Sequence, residues 1–225
     1  MTSRSGASRP GSRRRGGRPP RLQAEQIREQ ILDVATPLFL SRGYGATSIE
    51  EVAKQARMSK RTVYSRFRDK AELFGAVVHR LVERLRPPNS APEQFFEGVS
   101  LEAILQRLGR LILRAALSPP ALALHRVIVA DAMRFPELAA AVNQEGTRRD
   151  AIRRIAALLE REASLGALRA DKAEFAAEQF LHMLVAGPQR RALGLGTPMS
   201  DAELDAWASD AVDLFLNGCR GAAAR

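Results

Sequence analysis

Six consecutive positions hold Lys60, Arg61, Thr62, Val63, Tyr64 and Ser65. Five of these side chains offer cationic or hydroxyl donors, a methyl group and an aromatic face, which is chemistry for base edges and phosphates rather than for breaking bonds. The apolar Val63 and Phe67 stand four apart, so on a helix both would point inward and leave the polar set outside. No catalytic constellation competes with this reading. Glu178 and His182 share a helix face, but a di-iron bundle needs two Glu-x-x-His units and further carboxylates. His79, His125 and His182 lie far apart in the chain. Without a Gly-x-Ser-x-Gly elbow, a phosphate loop or a dinucleotide fingerprint, a helical-bundle enzyme is the weakest of the functional readings. Cys219 is the one cysteine. It excludes an internal disulfide framework and a zinc site of several thiolates, so neither metal nor cofactor is expected and a reducing cytoplasm suits the chain.

A short helix can enter a groove only if others hold it. Ile27, Ile31, Leu32, Ala35, Leu38 and Phe39 recur at helical spacing, which predicts an amphipathic helix over 22–41, stopped near Gly43, with Pro37 as an anomaly inside it. Thr47-Ser48-Ile49-Glu50 reads as a capping box, its Thr47 hydroxyl and Glu50 carboxylate opening a second helix that runs to Ala56. A tight turn at Arg57-Met58-Ser59 follows, and Ser59 is placed to cap a third helix over 60–66. Asp69-Lys70-Ala71-Glu72 is a further capping box, opening a longer helix whose Leu73, Phe74, Val77, Leu81 and Leu85 form a stripe ending before Pro87-Pro88. Two short helices joined by a three-residue turn over a supporting helix make a helix-turn-helix, whose second helix fits a major groove about 12 Å wide.

The charge is distributed to match. The chain of 225 residues carries 35 Lys+Arg against 25 Asp+Glu, a net +10, which points to a polyanionic partner. Residues 1–21 hold seven arginines and no acid, residues 22–86 are net +4, and residues 87–225 are net −1. Three parts follow: a basic arm expected to be disordered (1–21), a helix-turn-helix domain with a connecting helix (22–86), and a neutral helical domain (87–225) with no electrostatic reason to touch DNA. In the arm, Arg15-Gly16-Gly17-Arg18-Pro19 approximates an Arg-Gly-Arg-Pro minor-groove hook with one extra glycine. Phosphate binding without sequence preference and minor-groove reading both fit it. A non-specific architectural DNA-binding protein is the alternative to a sequence-specific one, and the large neutral domain speaks against it. No stretch of 18 uncharged residues occurs, so neither secretion nor a membrane span is expected.

Residues 28–78, from Arg28-Glu29-Gln30-Ile31-Leu32 through Leu38-Phe39, Gly43, Thr47-Ser48, Val52-Ala53, Ala56, Ser59-Lys60, Thr62-Val63-Tyr64 and Phe67 to Lys70 and Leu73, resemble the DNA-binding domain of TetR-family transcriptional regulators. The resemblance implies a homodimer on a near-palindromic operator in double-stranded DNA, released by a small-molecule effector. It implies base or groove contacts from Lys60, Arg61, Thr62 and Tyr64, and phosphate contacts from Thr47, Ser48, Tyr64 and Lys70, with Ser59 and Ser65 flanking the recognition helix. One departure stands at Arg57, where the family usually has Gly: a left-handed turn there costs a residue with a Cβ about 1 kcal/mol and makes Arg57 an extra candidate for a phosphate.

Beyond a linker at Pro87–Pro92, helical patterns cover 100–117, 120–133, 136–162, 171–193 and 200–217, an all-α bundle similar in architecture to the family's effector-binding and dimerisation domain. Phe180, Leu181, Leu184 and Val185, with Leu204, Trp207, Ala211, Leu214 and Phe215, are either its own core or a two-fold four-helix interface, for which Ala186 and Gly187 would permit close approach. Phe180, Leu184, Trp207 and Leu214 are the interface candidates. For an effector pocket the polar and flexible candidates are His125, Met133, Gln179, His182 and Met183, with Arg126, Asp131 and Arg134 nearby; each has an ordinary surface or hydrogen-bonded role as its alternative.

Overall fold

The computed structural model describes residues 21–85, 100–138, 140, 147–164 and 172–219. Residues 1–20 of the arm and the linker read from the sequence lie outside them, and Arg21, the last residue of the arm, opens α1. The described residues are helical throughout, without a strand: α1 (Arg21–Ala46), α2 (Ile49–Gln55), α3 (Lys60–Tyr64), α4 (Lys70–Leu85), α5 (Leu101–Ala116), α6 (Pro119–Asp131), α7 (Thr147–Ser164), α8 (Ala173–Ala192) and α9 (Asp201–Cys219). Of the pattern over 136–162, residues 136–138 and 140 are helical, and α7 covers Thr147–Ser164.

Two cores organise these helices. The first gathers Ile31, Leu32, Ala35, Leu38 and Phe39 of α1, Ile49, Val52 and Ala53 of α2, Val63 of α3 with Phe67 after it, and Leu73, Phe74, Val77 and Leu81 of α4. A five-residue helix cannot hold itself in water. Buried Val63 and Phe67, each contributing about 1.5–3 kcal/mol, clamp α3 onto this core. Val127 of α6 and Leu138 belong to the same core, so α6 packs on α1 although it follows the linker. The second core joins α5, α7, α8 and α9 through Leu105, Leu113, Ile155, Phe180, Leu184 and Phe215, among others.

Pro37 leaves α1 continuous, and Gly43 (φ 87°, ψ 171°) kinks it. Arg80 of α4 binds the flank of the Pro37 turn: its guanidinium donates to the Leu32 carbonyl (2.9 Å) and the Thr36 hydroxyl (3.0 Å) and pairs with Asp33 (2.7 Å) and Glu29 (3.3 Å). In α8, Pro188 has no N–H to give the Leu184 carbonyl four residues back. The indole N–H of Trp207 on α9 supplies the missing donor at 2.9 Å, and Gly187 admits the ring, because a Cβ there would lie 2.8 Å from Trp207 Cζ2.

Candidate nucleic-acid interface and its joint to the bundle

Ser59 caps α3 as its sequence requires, its hydroxyl accepting the Thr62 N–H at 3.1 Å and meeting the Thr62 hydroxyl at 2.8 Å. Ser65 closes the helix by donating to the Thr62 carbonyl at 2.7 Å. Between these ends Lys60, Arg61 and Tyr64 are exposed on the side opposite Val63. The short turn before α3 needs a left-handed residue, and Arg57 takes φ 54°, as the departure from glycine implied. Its side chain is exposed.

The start of α2 differs from the expected box. Ser48, not Thr47, is the N-cap, and its hydroxyl accepts the Glu51 N–H at 3.1 Å. Thr47 is 1% exposed and donates inward to the Gly43 carbonyl at 2.8 Å, because a hydroxyl buried beside the α1 kink must be satisfied there. Its hydroxyl is therefore turned inward. Glu51 pairs with Arg42, and Glu50 pairs with Lys60 at 2.7 Å. The hydrogen bond from Lys60 holds the Glu50 carboxyl below its ordinary value. At α4, Asp69 caps by accepting the Glu72 N–H (2.8 Å), while the Glu72 carboxylate accepts the Arg68 N–H (2.7 Å) and is held low by it.

Lys70, at the start of α4, sits beside two aromatic rings. Its ammonium lies 4.2 Å from the centroid of the Tyr44 ring and 5.6 Å from that of Phe135, within 3.5 Å of the Gly45 carbonyl, an arrangement stabilised by the ring quadrupoles. Burial lowers its pKa, and the charges of Asp131 and Glu137 oppose that shift. Around it the end of α6 docks on the end of α1. One Asp131 oxygen accepts the N–H groups of Tyr44 (2.8 Å) and Gly45 (3.2 Å), and the Tyr44 hydroxyl donates to Glu137 at 3.3 Å. Burial and Glu137 together raise the Tyr44 phenol. Phe135 packs edge-on against Tyr44, 5.2 Å between centroids. A Cβ on Gly45 would come within 3.1 Å of the Phe135 ring, so a side chain there would push the ring back by a few tenths of an ångström. Asp131, singled out as a possible effector group, clamps α6 to the end of α1.

The effector candidates scatter. Met133 is 98% exposed, because it turns out beyond the end of α6, and so lines no enclosed pocket. His182 is exposed and bonds Arg148 of α7 at 2.9 Å. His125 and Gln179 are half-buried, and Met183 packs at the edge of the second core. A shallow depression of about 250 Å³, counting space open to solvent, lies between α5 and α9 against Arg110, Leu113, Arg114, Asp201, Leu204 and Asp205, and none of the five candidates lines it. Of the interface candidates, Phe180 and Leu184 take the own-core alternative. Phe180 and Leu184 are 0% exposed inside their own subunit, and Trp207 and Gly187 are closed on each other. Leu214 remains 66% exposed on α9, and Phe175 is exposed on α8.

Two family models match the chain: residues 31–77 fit "Bacterial regulatory proteins, tetR family", and residues 103–218 fit "AefR-like transcriptional repressor, C-terminal domain". The HTH-type transcriptional activator FasR of Mycolicibacterium smegmatis is 42% identical over 83 residues, 36% of each chain. Across the first such curated relatives the chain spans about a quarter to a half of their length. Solved structures match over most of the chain. A putative TetR-family regulator from Mesorhizobium loti is 30% identical at a TM-score of 0.73, covering 88% of this chain and 99% of its own. The flavonoid-responsive regulator FrrA is 28% identical at 0.70 with the same coverage. The family is one of regulators, not enzymes. With one family model over residues 31–77, a second over residues 103–218, and a solved relative of the same family 30% identical over 88% of the chain, the chain belongs to the TetR family of transcriptional regulators.

Proposed function

We propose that the protein is a cytoplasmic, effector-responsive repressor that binds a near-palindromic operator as a homodimer. The observation that carries this reading is α3 itself: a five-residue helix pinned by Val63 and Phe67 that turns Lys60, Arg61 and Tyr64 outward, the geometry needed to reach base edges. Arg61 is the base-reading cation, and Ser48, Ser59, Thr62, Tyr64, Ser65 and Arg57 line the surrounding backbone. Lys70 supports the joint rather than a phosphate. A second unit built on α5, α7, α8 and α9, tied to the reader through α6, gives an effector a lever. Any ligand that shifts α6 must disturb the Asp131 clamp and the α4 end that holds Lys70, and DNA and effector then oppose each other by linkage, typically by 1–3 kcal/mol. The similarity to FrrA, a flavonoid-responsive regulator, supports a small-molecule effector, and the match to an AefR-like transcriptional repressor domain supports repression. His125, Gln179 and Met183 are the remaining effector candidates. Leu214 and Phe175 are the apolar side chains free to meet a second copy.

Selection of bound fragments from genomic DNA tests this reading. Recovered fragments are expected to share half-sites related by two-fold symmetry, about one helical turn apart. Recovery without a shared sequence would leave the architectural alternative.

A further inference from the structure

The first residue of the recognition helix is a lysine whose charge is already engaged. Lys60 Nζ lies 2.7 Å from a Glu50 oxygen on the first turn of α2, and the adjacent Glu51 pairs with Arg42 at the end of α1. Both pairs are substantially exposed, so they contribute little to stability, and Ser48 already caps α2. Two carboxylates beside a surface meant for a polyanion oppose binding to it. Their placement needs a role other than holding the fold.

We propose that Glu50 is a specificity-determining residue, which keeps the Lys60 ammonium from phosphates of arbitrary DNA. This rests on the reading of α3 as the DNA-reading helix. A phosphate offers Lys60 the same chemistry that Glu50 already supplies, a single anionic oxygen at hydrogen-bond distance, so exchanging one for the other gains little. Non-specific DNA must also bring its charge up to the Glu50 carboxylate. An operator base step in register presents Lys60 with acceptors that random sequence does not place there, and Arg61, for which no carboxylate partner stands among the described residues, anchors the helix while the exchange occurs. The acid thus subtracts from all binding, but most from binding that relies on charge alone. It widens the ratio between cognate and random sites, which governs regulation in a genome full of competitors.

The test compares Glu50→Gln with the wild type in the Lys60-containing and Lys60→Ala backgrounds. Each full-length protein is titrated with the fragment selected by the wild type and with a random-sequence duplex, over a series of salt concentrations. A freed Lys60 should add one phosphate contact on random DNA, steepening the slope of log K against log salt by about 0.9. Carried from 1 M to 0.1 M salt, that slope is about an eightfold gain in non-specific affinity. The gain on the selected fragment should be smaller, so the specificity ratio falls, and in the Lys60→Ala background the steepening should vanish. An equal gain on both duplexes would overturn the proposal, and so would an unchanged slope difference without Lys60, since simple repulsion by Glu50 does not need its partner. If the wild type prefers no sequence, the reading of α3 fails first and this role fails with it.

Discussion

Replacing Asp131 by alanine removes the clamp between α6 and the end of α1, and its cost follows from the two amides it leaves behind. The Tyr44 N–H, 2.8 Å from the carboxylate, is part-buried, so it loses a charge-assisted bond worth about 1.5–3 kcal/mol. The Gly45 N–H, at 3.2 Å, is exposed and recovers most of its bond from water, adding only a few tenths. Asp131 also favours the charged form of Lys70, which burial opposes, and that support disappears in the same variant. A total of about 2–3 kcal/mol corresponds to a fall in Tm of roughly 5–10 °C for a chain of this size. Asp131→Asn, which keeps a neutral acceptor in place, should cost about half as much. Thermal unfolding gives the magnitude and amide exchange gives its origin: Tyr44 should lose protection while Val63 and Phe74, held by the first core, keep theirs. Unchanged Tm and unchanged Tyr44 protection in Asp131→Ala would refute the clamp.

Gly187→Ala should push the Trp207 ring off its seat, costing about 1–3 kcal/mol as overpacking does, and shift the fluorescence of the chain's one tryptophan; an unshifted spectrum would contradict the 2.8 Å approach. Arg57→Gly relieves about 1–2 kcal/mol of left-handed strain and loses about 0.5–1 kcal/mol to chain entropy, so Tm should rise slightly while the salt slope of DNA binding becomes shallower by about 0.9; an unchanged slope would show that Arg57 meets no phosphate. Leu214→Arg should leave the fold intact and shift sedimentation toward monomer, and an undisturbed dimer would place the two-fold surface elsewhere.

Local signals carried most of the fold. Ser59 and Ser100 cap where their neighbours' apolar periodicity said a helix must begin, since a cap and a stripe are both written within one turn of sequence. Where two local signals overlapped, the sequence was ambiguous: Thr47 to Glu50 and Ser48 to Glu51 have the same spacing, and only the burial of Thr47 beneath the α1 kink decides between them. Contacts between distant residues were not legible. Nothing local to Lys70 says that Tyr44 and Phe135 will stack around its ammonium, and nothing local to Asp131 says that two amides 86 and 87 positions earlier will face it. Phe180 and Leu184 show the same limit: their helical phase marks a buried face but not whether the cover is the same subunit or another. Pro188 held a usable clue, since a proline inside a helical pattern orphans the carbonyl of Leu184 and calls for a donor such as Trp207.

The central claim, that this regulator reads sequence through α3, is tested most directly by binding to a panel of single-base variants of the selected operator at one fixed salt concentration. The wild type should discriminate among the variants. Arg61→Ala should lose about 1–3 kcal/mol on the intact operator and become indifferent at one base pair in each half-site, keeping its discrimination elsewhere. A loss of the same size on every variant, with no position relaxed, would contradict the account and make Arg61 a phosphate anchor.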